Sequence, residues 1–220
     1  MHKIRFGRSG AKTHSLTTFI SLAILGFGLS TAVNGVQAQP AGVRSLVQPI
    51  AEAGAAWPTD GWVQFCAHQP AECAVDTSEP ATIKLTRKNW QMIEQVNRRV
   101  NASIKPITDR EHWGIEDRWD FAEDGYGDCE DIQLVKRREL ARAGLPRRAM
   151  RMTVVIDEQG EGHAVMMIRT DRGDFILDNK RNAVLPWDET GYLYVKREGS
   201  SGAEWASLGG RGSASMTANR

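Results

Sequence analysis

Apolar residues recur at helical spacing in two stretches of the chain and fall into short blocks in its second half. In the stretch 86–101, Trp90, Ile93, Val96 and Val100 share one face. This predicts a helix capped by Thr86, with Leu85 and Trp90 as a hydrophobic staple. From Ile132, the positions Ile132, Val135 and Leu140, with Leu134 beside them, predict a second helix that Gly144 and Pro146 stop. Its Lys136, Arg137, Arg138 and Arg142 read most simply as a solvent face. The blocks 150–156, 163–170 and 174–179 read as strands, the last two joined by a tight turn around Arg172-Gly173, and 192–196 reads as a final strand. The stretch 41–56 is expected to form a short helix interrupted at Pro49. The stretch 57–80 is expected to be loop-rich, and 199–220 to be a flexible tail rich in Gly and Ser. The pattern is that of an α+β domain.

The first residues change what the rest can be. His2, Lys3, Arg5, Arg8 and Lys12 form a basic start, 16–33 is mostly apolar and small, and Val36-Gln37-Ala38 is a small-x-small site. Residues 1–38 therefore read as a cleaved secretion signal, with the mature chain starting at Gln39 and one domain running over 39–198. Cleavage removes 38 of 220 residues and leaves 182, enough for a sizeable core. It also removes four of 28 Lys/Arg and none of 27 Asp/Glu, so the mature net charge is near −3. The basic balance of the whole chain is thus a property of its leader, and no basic-aromatic pattern points to nucleic acid.

Export changes how the three cysteines read. An oxidising compartment favours pairing. Cys66 and Cys73 stand seven apart and are the natural local pair, which leaves Cys129 over. Cys129 sits in Gly125-Tyr126-Gly127-Asp128-Cys129-Glu130-Asp131, where Asp128 is an expected N-cap and Cys129 the first helical residue. Free N–H groups and the helix dipole favour a thiolate there. A cysteine nucleophile needs a base, and the base an orienting partner. His163 opens one expected strand and Asp178 closes the next. With an even number of residues in the intervening turn, both side chains point to one face, directly opposite or diagonally adjacent.

Gly127-Asp128-Cys129-Glu130-Asp131, His163-Ala164-Val165 and Leu177-Asp178-Asn179 resemble the three motifs of the bacterial transglutaminase-like cysteine proteinases. The resemblance runs from about residue 85 to 195 and takes in Val96-Asn97, Trp119 and Pro186-Trp187. It implies a papain-like or transglutaminase-like core, with the nucleophile at a helix N-terminus packed on a small antiparallel sheet. It also implies a catalytic triad of Cys129, His163 and Asp178 in a periplasmic thiol protease. Such proteases act on a protein substrate, in known cases a surface adhesin, and are often held by a membrane receptor. Trp119 or Asn97 would help shape the site.

The motif also poses an electrostatic problem. Asp128, Glu130 and Asp131 surround the cysteine, and Glu116, Asp117, Asp120, Glu123 and Asp124 precede it, with Arg118 the only cation among them. Uncompensated carboxylates oppose formation of a thiolate. A calcium ion held by Asp128, Glu130 and Asp131 with loop oxygens would cancel that field, and the resemblance implies calcium as well. A simpler account leaves these acids as a helix cap and a solvated face. Acyl transfer to an amine, as in a transglutaminase or a peptidoglycan amidase, fits the same three residues. A binding module of the same fold has no need of all three, and Cys129 has no CxxC partner for redox work.

Overall fold

Hydrophobic periodicity of two kinds, helical before residue 145 and strand-like after it, builds a sheet with helices packed against it. A computed structural model of the chain describes residues 47–201 and 204–210. The expected leader lies outside the described residues. In chain order the elements are β1 (Gly54–Ala56), α1 (Asp60–His68), α2 (Pro70–Cys73), α3 (Arg87–Ser103), β2 (Lys105–Pro106), α4 (Asp109–Trp113), β3 (Tyr126–Gly127) and α5 (Cys129–Arg142). There follow β4 (Met150–Ile156), β5 (Gly162–Thr170), β6 (Gly173–Leu177), β7 (Leu185–Pro186), β8 (Leu193–Glu198) and β9 (Trp205–Ser207).

Among the described residues, seven strands form one sheet in the order β1-β9-β8-β4-β5-β6-β7, with every pairing antiparallel. The long central strands β4, β5 and β6 carry nearly unbroken apolar runs because both faces are covered. On one face Met150, Met166, Ile168, Phe175 and Leu177 pack against Ile93, Val96 and Val100 of α3 and Ile132 and Leu140 of α5. On the other, Val155, Val165, Met167 and Ile176 pack with Tyr192 and Tyr194. A third cluster joins Met152 and Val154 to Trp62 and Phe65 of α1 and Leu134 of α5. The fold is the expected α+β one, with a seven-stranded sheet.

The helix α3 starts where expected, its Thr86 hydroxyl accepting from Asn89 N at 3.2 Å. The helix α5 begins at Cys129 and ends before Gly144, whose φ of +92° suits glycine.

Four expectations are corrected. The stretch 57–80 is not mainly loop: Thr59 caps α1 by accepting from Trp62 N at 3.3 Å, and Pro70 starts α2 as its first residue. The described part of 41–56 holds no helix, since its end pairs as β1 with β9. The stretch expected as a tail contributes β9, which pairs with β8 and buries Trp205, so β8 is not the final strand. Lys136 and Arg137 do not face solvent: both are buried, Arg137 because it pairs with Glu198 at 2.7 Å. Cys66 and Cys73 form the expected disulfide, with Cα atoms 5.6 Å apart, and it ties α1 to α2.

Candidate active site

The expected triad residues come from three elements that meet at one end of the sheet. Cys129 is the first residue of α5, and its Sγ accepts the N–H of Ala164 on β5 at 3.3 Å. His163 is the second residue of β5. Asp178 follows β6 directly. In the β5–β6 register Met166 pairs with Leu177 and Thr170 with Gly173, which leaves Asp171 and Arg172 as the turn. His163 and Asp178 are therefore diagonal neighbours on one face, and His163 Nε2 lies 2.9 Å from Asp178 Oδ1. With Nε2–H donating to Asp178, the neutral imidazole keeps its lone pair on Nδ1. That atom has no partner at bonding distance, and Cys129 is close enough for its sulfur to raise the imidazole pKa. Burial disfavours the imidazolium, but the hydrogen bond to Asp178 and the nearby sulfur of Cys129 outweigh it and lift His163 to about 9. Burial likewise works against the Asp178 carboxylate, yet His163, Tyr192 and the Lys180 N–H hold it below its ordinary value.

The segment carrying Asp178 is anchored from α3. Asn101 Nδ2 donates to Asp178 O at 2.9 Å, and Asn97 Nδ2 donates to the carbonyls of Arg181 and Asn182, each at 3.1 Å. Asn97 thus shapes the site through the backbone that follows Asp178. Lys180 pairs with Asp157 and Arg181 with Glu158, which fastens the same segment to the β4–β5 turn. Trp119 lies on the acidic side instead, its indole N–H donating to Asp117 Oδ1 at 2.9 Å.

The acidic residues fold into one cluster beside the N-terminus of α5. Asp128 occupies the N-cap position and forms a capping box with Asp131, but neither of its buried carboxylate oxygens has a donor at full hydrogen-bond geometry. Asp131 bonds back to Asp128 N at 3.4 Å and accepts Asp120 N at 2.6 Å. Glu130 is fully buried, its Oε2 accepting from the Cys129 thiol at 3.0 Å and its Oε1 lacking a partner. Asp109, on α4, was not among the expected site residues. One oxygen each from Asp109, Asp128 and Asp131 lies within 4.8 Å of the others, and the same holds for Asp109, Asp117 and Glu130. The available signal was the sequence Thr108-Asp109-Arg110-Glu111, a capping box that places Asp109 at the start of a short helix. Of the acidic run, Asp117 and Asp120 enter this region, while Glu123 and Asp124 pair with Arg138 and His112.

Without a cation, this cluster forces protons onto its carboxyls. Burial first, then neighbouring acids, pushes Asp128 up to about 7 and Asp131 up to about 10. Burial, with Cys129, Asp128 and Asp131 close by, raises Glu130 well above the usual carboxylate range. Gly127 makes room for the arrangement, since a Cβ there would stand 2.8 Å from Asp131 Oδ2. Buried carboxylates gathered from α4, the loop before α5 and the first turn of α5 are the donor set that a hard cation takes. Of the expected ligands, Asp128 and Asp131 thus fall in one group and Glu130 in another, and the two groups share Asp109.

Residues 52–213 match the family model described as bacterial transglutaminase-like cysteine proteinase. Among solved structures, calcium-bound LapG of Legionella pneumophila is similar at 22% identity and a TM-score of 0.48, covering 73% of this chain and 87% of that one. LapG of the same organism in another structure is similar at 23% identity and a TM-score of 0.47, covering 68% of this chain and 81% of that one. An EGTA-treated LapG gives 23% identity and 0.47, covering 68% of this chain and 79% of the other. No curated protein sequence matches the chain.

Proposed function

This chain belongs to the bacterial transglutaminase-like cysteine proteinases, and we propose that it is an exported thiol protease whose nucleophile, base and orienting acid are Cys129, His163 and Asp178. The observation that carries this reading is the 2.9 Å bond from His163 Nε2 to Asp178, which leaves Nδ1 for the thiol of Cys129. Nδ1 takes the thiol proton, and Asp178 stabilises the imidazolium and fixes the tautomer. The thiolate attacks a peptide carbonyl, with the Cys129 N–H at the helix N-terminus helping to hold the oxyanion; the C–N bond breaks as the imidazolium gives its proton to the leaving amine, and water, deprotonated by the same Nδ1, releases the acyl group as a carboxylic acid and restores the thiol.

Calcium fits the acidic cluster. Asp109, Asp128 and Asp131 would hold it, with Asp117 and Glu130 beside them, and the partnerless oxygens of Asp128 and Glu130 support this. Bound there, the ion supplies positive charge that offsets the carboxylates next to the nucleophile. Glu130 would then compete less for the thiol proton, and His163 becomes its acceptor. Residues 1–38 act as the export signal, and the periplasm is the place of action. A surface adhesin is the substrate we favour, with a membrane receptor as a regulator.

The test is to incubate the purified protein with the envelope fraction of its own cells and map new protein N-termini. One or a few sites, absent with Cys129→Ala and reduced by EGTA, is the expected result. Unchanged N-termini in all samples would refute the protease reading. Isopeptide crosslinks without new N-termini would replace it with acyl transfer to an amine.

A further inference from the structure

Asp178 is held by more than its histidine. Its Oδ1 accepts both His163 Nε2 at 2.9 Å and Lys180 N at 3.0 Å. Its Oδ2 accepts the phenol of Tyr192 at 2.5 Å. A buried carboxylate needs donors on both oxygens. Among the described residues, Tyr192 is the only donor recorded for Oδ2. The same residue also touches the histidine. Its ring stands edge-on to the His163 imidazole, with centroids 5.8 Å apart and planes at 78°. Tyr192 is itself fixed: its N–H donates to Thr190 Oγ1 at 3.3 Å, and the Arg181 guanidinium lies 5.2 Å over its ring. It is buried and packs with Val165 and Ile176 on the sheet face that carries His163 and Asp178.

We infer that Tyr192 is a positioning residue of the triad, its hydroxyl fixing the rotation of the Asp178 carboxylate and its ring edge fixing the plane of the His163 imidazole. The inference rests on the triad proposed above. The carboxylate can rotate about its Cβ–Cγ bond unless both oxygens are tied. The Lys180 N–H and His163 share one oxygen, so the phenol on the other is what sets the angle at which Oδ1 meets Nε2. The Tyr192 hydroxyl acts through Asp178, and its ring acts through the plane of the imidazole.

The test is a double-mutant cycle read by the rate at which iodoacetamide alkylates Cys129 at pH 7, on protein purified as its host processes it. Tyr192→Phe keeps the ring and removes the donor. A hydrogen bond to a charged group is worth a factor of roughly ten to a hundred, and a fall of about tenfold or more in the alkylation rate is expected. In the Asp178→Asn background the same change should alter the rate by less than about twofold, because the group through which Tyr192 acts is gone. A second readout is the proton resonance of the His163 Nε2–H. It should move in Tyr192→Phe, and it should also move with 3-fluorotyrosine at 192, which strengthens the donor without deleting an atom. An equal loss of rate in both backgrounds, or an unmoved resonance with an unchanged rate, would overturn the inference and leave the triad standing. If Asp178→Asn alone leaves rate and resonance at wild-type values, the triad reading fails and this inference falls with it.

Discussion

The Cys129 thiol donates to Glu130 Oε2 at 3.0 Å, while the imidazole proposed as its base keeps Nδ1 without a partner at bonding distance. Two acceptors thus compete for one proton, and they differ in what they do to the sulfur. Transfer toward Glu130 neutralises that carboxylate and leaves a thiolate with no cation beside it. Transfer toward His163 creates an ion pair beside Asp178. Removing Glu130 should tip the competition. Glu130→Ala is expected to alkylate several-fold faster than wild type in EGTA, and its rate should no longer respond to calcium. Timed iodoacetamide labelling with and without 1 mM calcium checks this. A variant that still accelerates with calcium as wild type does would remove Glu130 from the switch.

The triad itself is tested by three substitutions. Cys129→Ala should abolish proteolysis with the melting temperature kept near wild type. His163→Ala should do nearly the same. Asp178→Asn keeps the shape but turns one oxygen of the carboxylate into an NH2 group facing Nε2 or the Tyr192 phenol, so the imidazole loses its charged partner. A loss of about 10³–10⁴-fold is expected by analogy with serine triads. Retained activity in His163→Ala would place the base elsewhere.

That these three residues meet was legible in the sequence because each sits where local pattern is strongest. Cys129 follows a glycine turn and starts a periodic helix, and His163 and Asp178 flank a two-residue turn whose even length fixes their shared face. What was not legible depends on distant partners. Lys136 and Arg137 look like surface cations in a window of their own, and distant partners, Glu198 at 61 residues after Arg137 and the Glu72 carbonyl, take that arginine inside. The strands β1 and β9 are three residues each and pair across most of the domain, so neither shows a period of its own. Asp109 stands well before the cysteine motif, and only the folded acidic loop carries it to Asp128 and Asp131. The helix α1 hides because a short amphipathic turn after Thr59 resembles a loop rich in Gly and Pro.

The acidic cluster sets a pH dependence for the metal-free protein. Asp128 is raised from 3.8 to about 7 and Asp131 to about 10, mainly by burial and then by neighbouring acids. The folded chain therefore holds protons that the unfolded chain releases near pH 4. That contribution to stability is complete below the unfolded value and is lost as pH rises through the folded ones. His163, lifted from 6.5 to about 9, adds the same slope above pH 6.5, whereas Lys136, depressed by burial to about 7, opposes it at higher pH. The melting temperature in EGTA should fall between pH 5 and pH 7. Saturating calcium should flatten that fall, because the ion replaces the protons, and at about 100 times its dissociation constant it adds about 2.7 kcal/mol. A melting temperature in EGTA that stays level or rises over this interval would mean that the carboxyls are solvated and unshifted.

The last prediction concerns Glu198, on which three elements converge. Its Oε1 accepts Trp62 Nε1 of α1 at 2.6 Å, and its Oε2 accepts Arg137 of α5 at 2.7 Å and the Met152 N–H of β4 at 2.8 Å. The side chains of both Arg137 and Glu198 are nearly inaccessible, at 3% and 8% exposure, so neither can turn to water when its partner is removed. Breaking one side of a buried pair costs about 3–5 kcal/mol, most of it the isolated charge that remains. The two sides are not equivalent here. Arg137→Met leaves Glu198 with two donors and fills most of the volume. Glu198→Ala leaves the Arg137 guanidinium with only the Glu72 carbonyl, strands the Trp62 indole N–H and the Met152 amide, and opens a cavity. Glu198→Ala should therefore lose more stability in urea unfolding than Arg137→Met, by about 1–2 kcal/mol. Because α5 carries Cys129 at its other end, it should also slow alkylation of that residue. Equal losses below about 1 kcal/mol would mean that water reaches the pair and that packing, not this carboxylate, holds α5 to the sheet.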